Sequence, residues 1–193
     1  MNVTVYLGSG FGNDGKYEKA ARELGRVLGE GGNTLVYGGS GSGLMGVLAD
    51  AVLSAGGKVI GVEPQKFMDA GFAKEGLTEL IVTKDMWDRK ATMMRLGDAF
   101  IAFPGGTGTL EEIADAMSAV SLKDTKGPCI LYNMDGYYDS LKALLETMKR
   151  EGFSSEARQQ NIFFAGDLDE IIKIIREAHL TECSFCRDHS PEK

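Results

Sequence analysis

The run Ala99-Phe100-Ile101-Ala102-Phe103, bounded by Asp98 and Pro104, constrains this chain more than any other stretch. Its length and unbroken apolar character suit a strand buried on both faces of a parallel sheet. Pro104-Gly105-Gly106-Thr107-Gly108-Thr109 follows, and then Leu110, Ile113, Ala114, Met117 and Ser121 recur at helical spacing. The same strand, turn and helix succession recurs elsewhere. Residues 3–7 read as strand, Gly8-Ser9-Gly10 as turn, and Tyr17, Ala20, Ala21, Leu24 and Leu28 as one helix stripe. Gly29, Gly31 and Gly32 end that helix before a strand at 33–37. Leu44, Val47, Leu48, Ala51, Val52 and Ala55 mark the next helix, and 58–62 the next strand. Residues 80–83, 128–132 and 162–165 read as further strands. A helix is expected at 138–150, and Leu168, Ile171, Ile172 and Ile175 mark a final one. Such alternation means parallel βαβ units. The expectation is a Rossmann-like, doubly wound α/β sheet, one domain over residues 1–180 with a tail at 181–193.

Charge and composition remove several classes of function. With 193 residues and a net charge of −7, the chain has no general attraction for nucleic acid or an anionic membrane, so any phosphate site must be local. No apolar run approaches membrane length. Residues 3–8 are too short for a signal peptide and lead directly into a glycine turn. Three cysteines do not make a disulfide framework, and a cytoplasmic enzyme is the expectation.

The chemistry gathers in three places. A glycine-rich turn into a helix start is a natural anion cradle, because the first backbone N–H groups lack partners and the dipole is positive there. Gly105, Gly106, Thr107, Gly108 and Thr109 fit this, with two hydroxyls as extra donors. Glu111 and Glu112 fall in what reads as the first helical turn. Acids there complement the dipole, and a pair beside a phosphate cradle equally suits catalysis; both readings stand. Arg89 and Lys90 share a helix face with Met86 and Met93, opposite Trp87, Ala91 and Met94, and Asp85 is placed to cap that helix. Two cations on such a face suit phosphate or carboxylate, although their stems can also simply cover apolar surface. Finally, Gly41-Ser42-Gly43-Leu44-Met45-Gly46 is a GxGxxG between strand and helix, with Glu63 ending the next strand. That pattern admits an NAD(P) reading, but the glycines follow the second strand and a separate catalytic domain is missing. Two glycine loops bordering one crevice at the carboxyl edge of the sheet is the preferred reading. The unpatterned stretch 63–77 has the length of a functional loop or lid.

The Pro104–Glu112 segment resembles the PGGxGTxxE signature of the lonely-guy (LOG) family, long labelled lysine-decarboxylase-like. Tyr37-Gly38-Gly39-Ser40-Gly41-Ser42-Gly43-Leu44-Met45-Gly46 and Asp85-Met86-Trp87-Asp88-Arg89-Lys90 agree with it. The resemblance spans residues 3–178 and implies a Rossmann-like, homodimeric enzyme. Members release base and ribose 5-phosphate from cytokinin nucleoside 5′-monophosphates or AMP. It implies Arg89 and Glu112 as catalytic, with Lys90 and residues 105–109 binding substrate. Glu111, Ser9, Gly39, Gly43 and Ser118 complete the expected contacts. Trp87 stands where relatives commonly have His, Ser40 where they have Gly, and Ser118-Ala119-Val120-Ser121 where Thr-Trp-Ala-Gln is frequent. Gly71 stands nearest to an acidic contact of some members, which Asp69 or Glu75 replaces at best. These departures fall where the base would sit and leave the phosphate chemistry intact.

The expected function is therefore N-glycosidic hydrolysis of a purine nucleoside 5′-monophosphate, with no cofactor and no metal. The competing class is a nucleotide- or cofactor-binding carrier without hydrolysis. His179, Cys183, Cys186 and His189 form a candidate zinc set in the tail, although the second half of that spacing is compressed relative to ordinary fingers.

Overall fold

Seven parallel strands form one sheet in the order β4-β3-β2-β1-β5-β6-β7. The computed structural model describes residues 1–125 and 127–187, with side chains through residue 180. The strands are β1 (Asn2–Tyr6), β2 (Thr34–Tyr37), β3 (Lys58–Pro64), β4 (Glu79–Thr83), β5 (Ala99–Ala102), β6 (Cys129–Tyr132) and β7 (Ile162–Ala165). The helices are α1 (Lys16–Glu30), α2 (Gly43–Ser54), α3 (Gln65–Asp69), α4 (Met86–Leu96), α5 (Thr107–Leu122), α6 (Asp139–Arg150), α7 (Glu156–Gln159) and α8 (Leu168–Arg187). From β1 the chain steps outward to β4, returns to set β5 beside β1, and steps outward the other way. That reversal makes the fold doubly wound, and it opens a crevice beyond the carboxyl ends of β1 and β5. The two strands are in register as Tyr6 opposite Ala102, and the Phe103 N–H donates to the Tyr6 carbonyl at 2.9 Å.

Two apolar layers sandwich the sheet. Leu24, Leu28, Leu48, Val52, Ile171 and Ile175 pack one face, from α1, α2 and α8. Met93, Ile113, Met117 and Leu145 pack the other, from α4, α5 and α6. All four residues of β5 and of β6 are buried, as unbroken apolar runs covered on both faces must be.

Two expectations change in detail. Residues 63–77 are less irregular than the sequence suggests: β3 runs on to Pro64, α3 follows, and Ala73 forms an antiparallel bridge with Ser40. Gly41 N–H donates to the Phe72 carbonyl at 3.0 Å and Lys74 N–H to that of Gly39 at 2.9 Å, so the stretch is strapped across the Gly39–Gly41 turn. Helix α5 starts at Thr107, three residues before its apolar stripe, so Glu111 and Glu112 lie beyond the first turn. Gly106, Thr107 and Gly108 put nothing apolar inward, which is why periodicity alone placed the start at Leu110.

Candidate active site

The N-terminus of α5 opens onto the crevice. Gly106 is its N-cap residue and no side chain caps it, so the first N–H groups of the helix are left for a ligand. A Cβ on Gly106 or Gly108 would meet nothing within 4 Å. Gly105 is different, since a Cβ there would overlap the Thr109 hydroxyl, which is folded back beneath the turn, and would lie 2.8 Å from Gly8 N. Two tyrosines brace the turn: buried Tyr138 Oη donates to the Phe103 carbonyl at 2.8 Å, and Tyr137 Oη, on the cavity side, donates to the Gly105 carbonyl at 2.6 Å. Both carbonyls are thereby satisfied, while the first N–H groups of α5 keep no side-chain partner. A cavity of about 380 Å³ borders it, walled by Gly8, Ser9, Phe11, Tyr17, Gly105 and Tyr137 among others.

One turn further along α5, Glu112 meets Arg89 of α4. Arg89 Nη1 and Glu112 Oε1 are 3.5 Å apart, and the side chains are 12% and 11% exposed. Two contacts and one vacancy hold the guanidinium. Its Nε donates to the Val62 carbonyl at 3.1 Å, Nη1 faces Glu112, and the space beside Nη2 exists because Gly38 has no side chain. Helix α4 is itself fixed by Asp85, whose Oδ1 accepts from the N–H groups of Trp87 and Asp88 at 3.0 Å each. Burial pushes the Glu112 carboxyl above the ordinary range, and Arg89 pulls it part of the way back. Tyr6, buried nearby, is pushed up by its burial and then by the charge of Glu112. The outcome is a carboxylate poorly solvated, charge-paired and adjacent to an anion cradle. Such a group suits general base work or stabilising a developing cation.

Lys90 has a different setting. Its Nζ lies 2.7 Å from Glu111 and 2.8 Å from Asp115, and 4.6 Å from the centre of the Trp87 ring. Those two carboxylates raise its pKa through direct hydrogen bonds, chiefly Asp115 and then Glu111. The ammonium thus ties α4 to α5 and aligns Arg89 with Glu112. Asp115 was not singled out in the sequence, although its i,i+4 relation to Glu111 puts both on one face.

The remaining expected residues divide. Ser9 borders the cavity. Gly43 packs against the Ser9 carbonyl, and Gly46 against that of Gly41, so these two glycines serve the approach of backbones. Gly39 has a positive φ of 83° and lies against Glu63. Ser118 is exposed on α5, on the side remote from the helix start. Glu63 is 3% exposed beneath the Gly39 turn, which does not put it at an open crevice to meet a ribose hydroxyl. Phe11, Tyr137 and Tyr138 were not expected at the site, and Tyr17 was read only as part of the α1 stripe; the pair of tyrosines after a strand was the one signal available, and only for Tyr137 and Tyr138. His179 is exposed on α8, while the side chains of Cys183 and Cys186 and all of His189 lie outside the described residues.

The sheet order and the cleft at its reversal define a doubly wound parallel α/β protein, a class that binds ligands beyond the carboxyl ends of its strands. A family model described as "Possible lysine decarboxylase" matches residues 45–175. The chain is 42% identical over 176 residues to the cytokinin riboside 5′-monophosphate phosphoribohydrolase of Rhodococcoides fascians, covering 91% of this chain and 89% of that protein. It is 40% identical to the LOG phosphoribohydrolase of Oryza sativa subsp. japonica, covering 91% and 72%. The molybdenum cofactor carrier protein of Chlamydomonas reinhardtii shares the fold at a TM-score of 0.71 and 21% identity, covering 93% and 98%. The chain belongs to the LOG family, the lysine-decarboxylase-like family of the matching model.

Proposed function

We propose that this protein hydrolyses the N-glycosidic bond of a purine nucleoside 5′-monophosphate, releasing the free base and ribose 5-phosphate. The relatives named cytokinin riboside 5′-monophosphate phosphoribohydrolase support the reaction class. The observation that carries the reading in this chain is the buried Arg89–Glu112 pair one helical turn from the uncapped start of α5. The 5′-phosphate takes the N–H groups of residues 105–109 and the Thr107 hydroxyl, with Ser9 bordering the same cavity; the Thr109 hydroxyl, expected as a second donor, is buried beneath the turn instead. As the C1′–N bond lengthens, positive charge spreads over C1′ and the ring oxygen. Glu112 stabilises that charge and takes a proton from the water whose oxygen bonds to C1′. The base leaves with the bonding electron pair and acquires a proton. Arg89 keeps Glu112 ionised and oriented. Lys90, Glu111 and Asp115 hold the two helices in that relation.

The working unit in this reading is a cytoplasmic homodimer. Trp87, Leu110 and Leu122 are exposed on α4 and α5, the helices that carry the site. Among the described residues no helix is long and apolar enough to cross a membrane. The deciding experiment incubates pure protein with AMP and measures adenine. Release of base at a catalytic rate is expected; stoichiometric binding of AMP without release would leave a nucleotide carrier. Sedimentation at micromolar concentration tests the dimer, and a monomeric mass would contradict it.

A further inference from the structure

Among the described residues, two buried side-chain polar atoms lack a hydrogen-bond partner: Tyr37 Oη and Glu63 Oε2. Buried polar groups are nearly always satisfied, so two orphans in one place call for an explanation. They share one face of the sheet, since Tyr37 is in register with Gly61 and Glu63 lies two residues further along β3. Burial raises the Tyr37 hydroxyl pKa most, and the charge of Glu63 is the next cause, ahead of Asp50. Both residues sit at the carboxyl ends of adjacent strands. The two do not bond one another directly; a phenol and a neutral carboxyl each carry a donor and an acceptor, so one water between them would satisfy both.

What lies beyond them is the active-site wall. A Cβ on Gly39 would sit 2.8 Å from Glu63 Oε2, and a Cβ on Gly38 would overlap the Arg89 guanidinium. So Gly38–Gly39 is a backbone partition with the Glu63 carboxyl on one side and the Arg89 cation on the other. The partition is held from outside by the strap, through Lys74 N–H to the Gly39 carbonyl. Arg89 also bonds the carbonyl of Val62, the residue next to Glu63. Arg89 therefore stands between two buried carboxyls, Glu112 in contact and Glu63 behind the partition.

We propose that Glu63 is a positioning residue for Arg89: buried and neutral against Gly39, it backs the Gly38–Gly39 partition, and on losing its proton to solvent it competes with Glu112 for the guanidinium. The surrounding groups permit this. Burial holds the Glu63 carboxyl up, and Arg89 is the charge that draws it down. Tyr37 of β2 faces it as a neutral phenol. Asp50 of α2 is paired with Lys74 of the strap at 2.7 Å, so neither is a free counter-charge. Lys66 and Asp69 of α3, and Glu79 and Lys84 flanking or within β4, are exposed to water. Glu112 of α5 is the competing acid.

The inference rests on the role given to Arg89 and Glu112 above, and its test has an arm that needs no catalysis. In Glu112→Gln protein labelled with 15N, the Arg89 Nε and the Gly38 and Gly39 amide shifts are followed against pH, beside the 13C shift of the Glu63 carboxyl. The three nitrogens should move together with the titration of Glu63. In the active enzyme, kcat should decline on the alkaline side as Glu63 ionises. Glu63→Ala should lower kcat on the order of 10²-fold, the scale of a misplaced catalytic group, with a smaller change in KM. Glu63→Gln, a permanently neutral isostere, should restore the turnover lost in Glu63→Ala and abolish the alkaline decline. Nitrogen shifts indifferent to Glu63, or an unchanged alkaline decline in Glu63→Gln, would overturn the proposal. Should the wild-type protein release no base from any nucleotide, the proposed function fails while the shifts still decide this point.

Discussion

The loops after β2 and β5 are both glycine-rich connections from strand to helix, yet they spend their glycines on opposite ends. After β2, a Cβ at Gly38, Gly39, Gly43 or Gly46 would strike Arg89, Glu63, the Ser9 carbonyl or the Gly41 carbonyl. That loop is closed, and its missing side chains let protein approach protein. After β5, Gly105 is packed against Thr109 and Gly8, but Gly106 and Gly108, at the helix start itself, face open space. That loop is open, and its missing side chains leave room for something absent from the polypeptide. Glycine content alone does not locate a ligand; what occupies the vacant Cβ position does.

The comparison can be broken by mutation, and the largest effect belongs to the pair standing between the loops. Glu112→Gln should lower turnover by roughly 10²-fold or more, with AMP affinity little changed, because the open loop is untouched. Adenine release and calorimetric titration check the two halves. The same variant has a stability signature. The folded Glu112 carboxyl lies above its unfolded value, so the folded state binds more protons than the unfolded one between the two. Wild-type stability should therefore fall as pH rises from the ordinary carboxylate range through that raised value, and Glu112→Gln should lack this component. Urea unfolding across pH measures it.

Next come the loops themselves. Gly106→Val should abolish phosphate binding and the preference for monophosphate over nucleoside, while the urea midpoint shifts little. Gly46→Ala, in the closed loop, should instead cost about 1–3 kcal/mol through overpacking against the Gly41 carbonyl. If Gly46→Ala folds as the wild type does while Gly106→Val unfolds, the contrast between the loops is wrong. The smallest effect is expected at Glu111. Its side chain is 61% exposed and shares Lys90 with Asp115, so Glu111→Gln should change stability by at most about 1 kcal/mol and leave turnover near normal.

Much of this architecture could be read in advance, for identifiable reasons. Runs such as Ala99–Ala102 have few alternatives once bounded by Asp98 and Pro104, and alternation with helices then forces a parallel sheet. Arg89 and Glu112 were each legible as a residue out of keeping with its surroundings. The resemblance grouped the two, but spacing alone did not bring them into contact, since that depends on α4 and α5 packing side by side on one face of the sheet. The start of α5 was misplaced because periodicity sees only residues that face a core. Lys90 shows a different limit: a cation on a half-apolar face looks free until Glu111 and Asp115 are seen to hold it. Nor could sequence separate the open loop from the closed one, because glycine leaves no trace of what fills the space beside it.

Trp87 has one more consequence. It is the chain's single tryptophan, it is 76% exposed, and an ammonium group sits over its ring. All indole fluorescence of this protein therefore comes from one point on α4, beside the Lys90 link to α5. An isolated subunit should emit at the long wavelengths of a hydrated indole, and a second subunit settling on this face should move the emission to the blue. Without any added label, the dilution curve of that emission would give the strength of self-association.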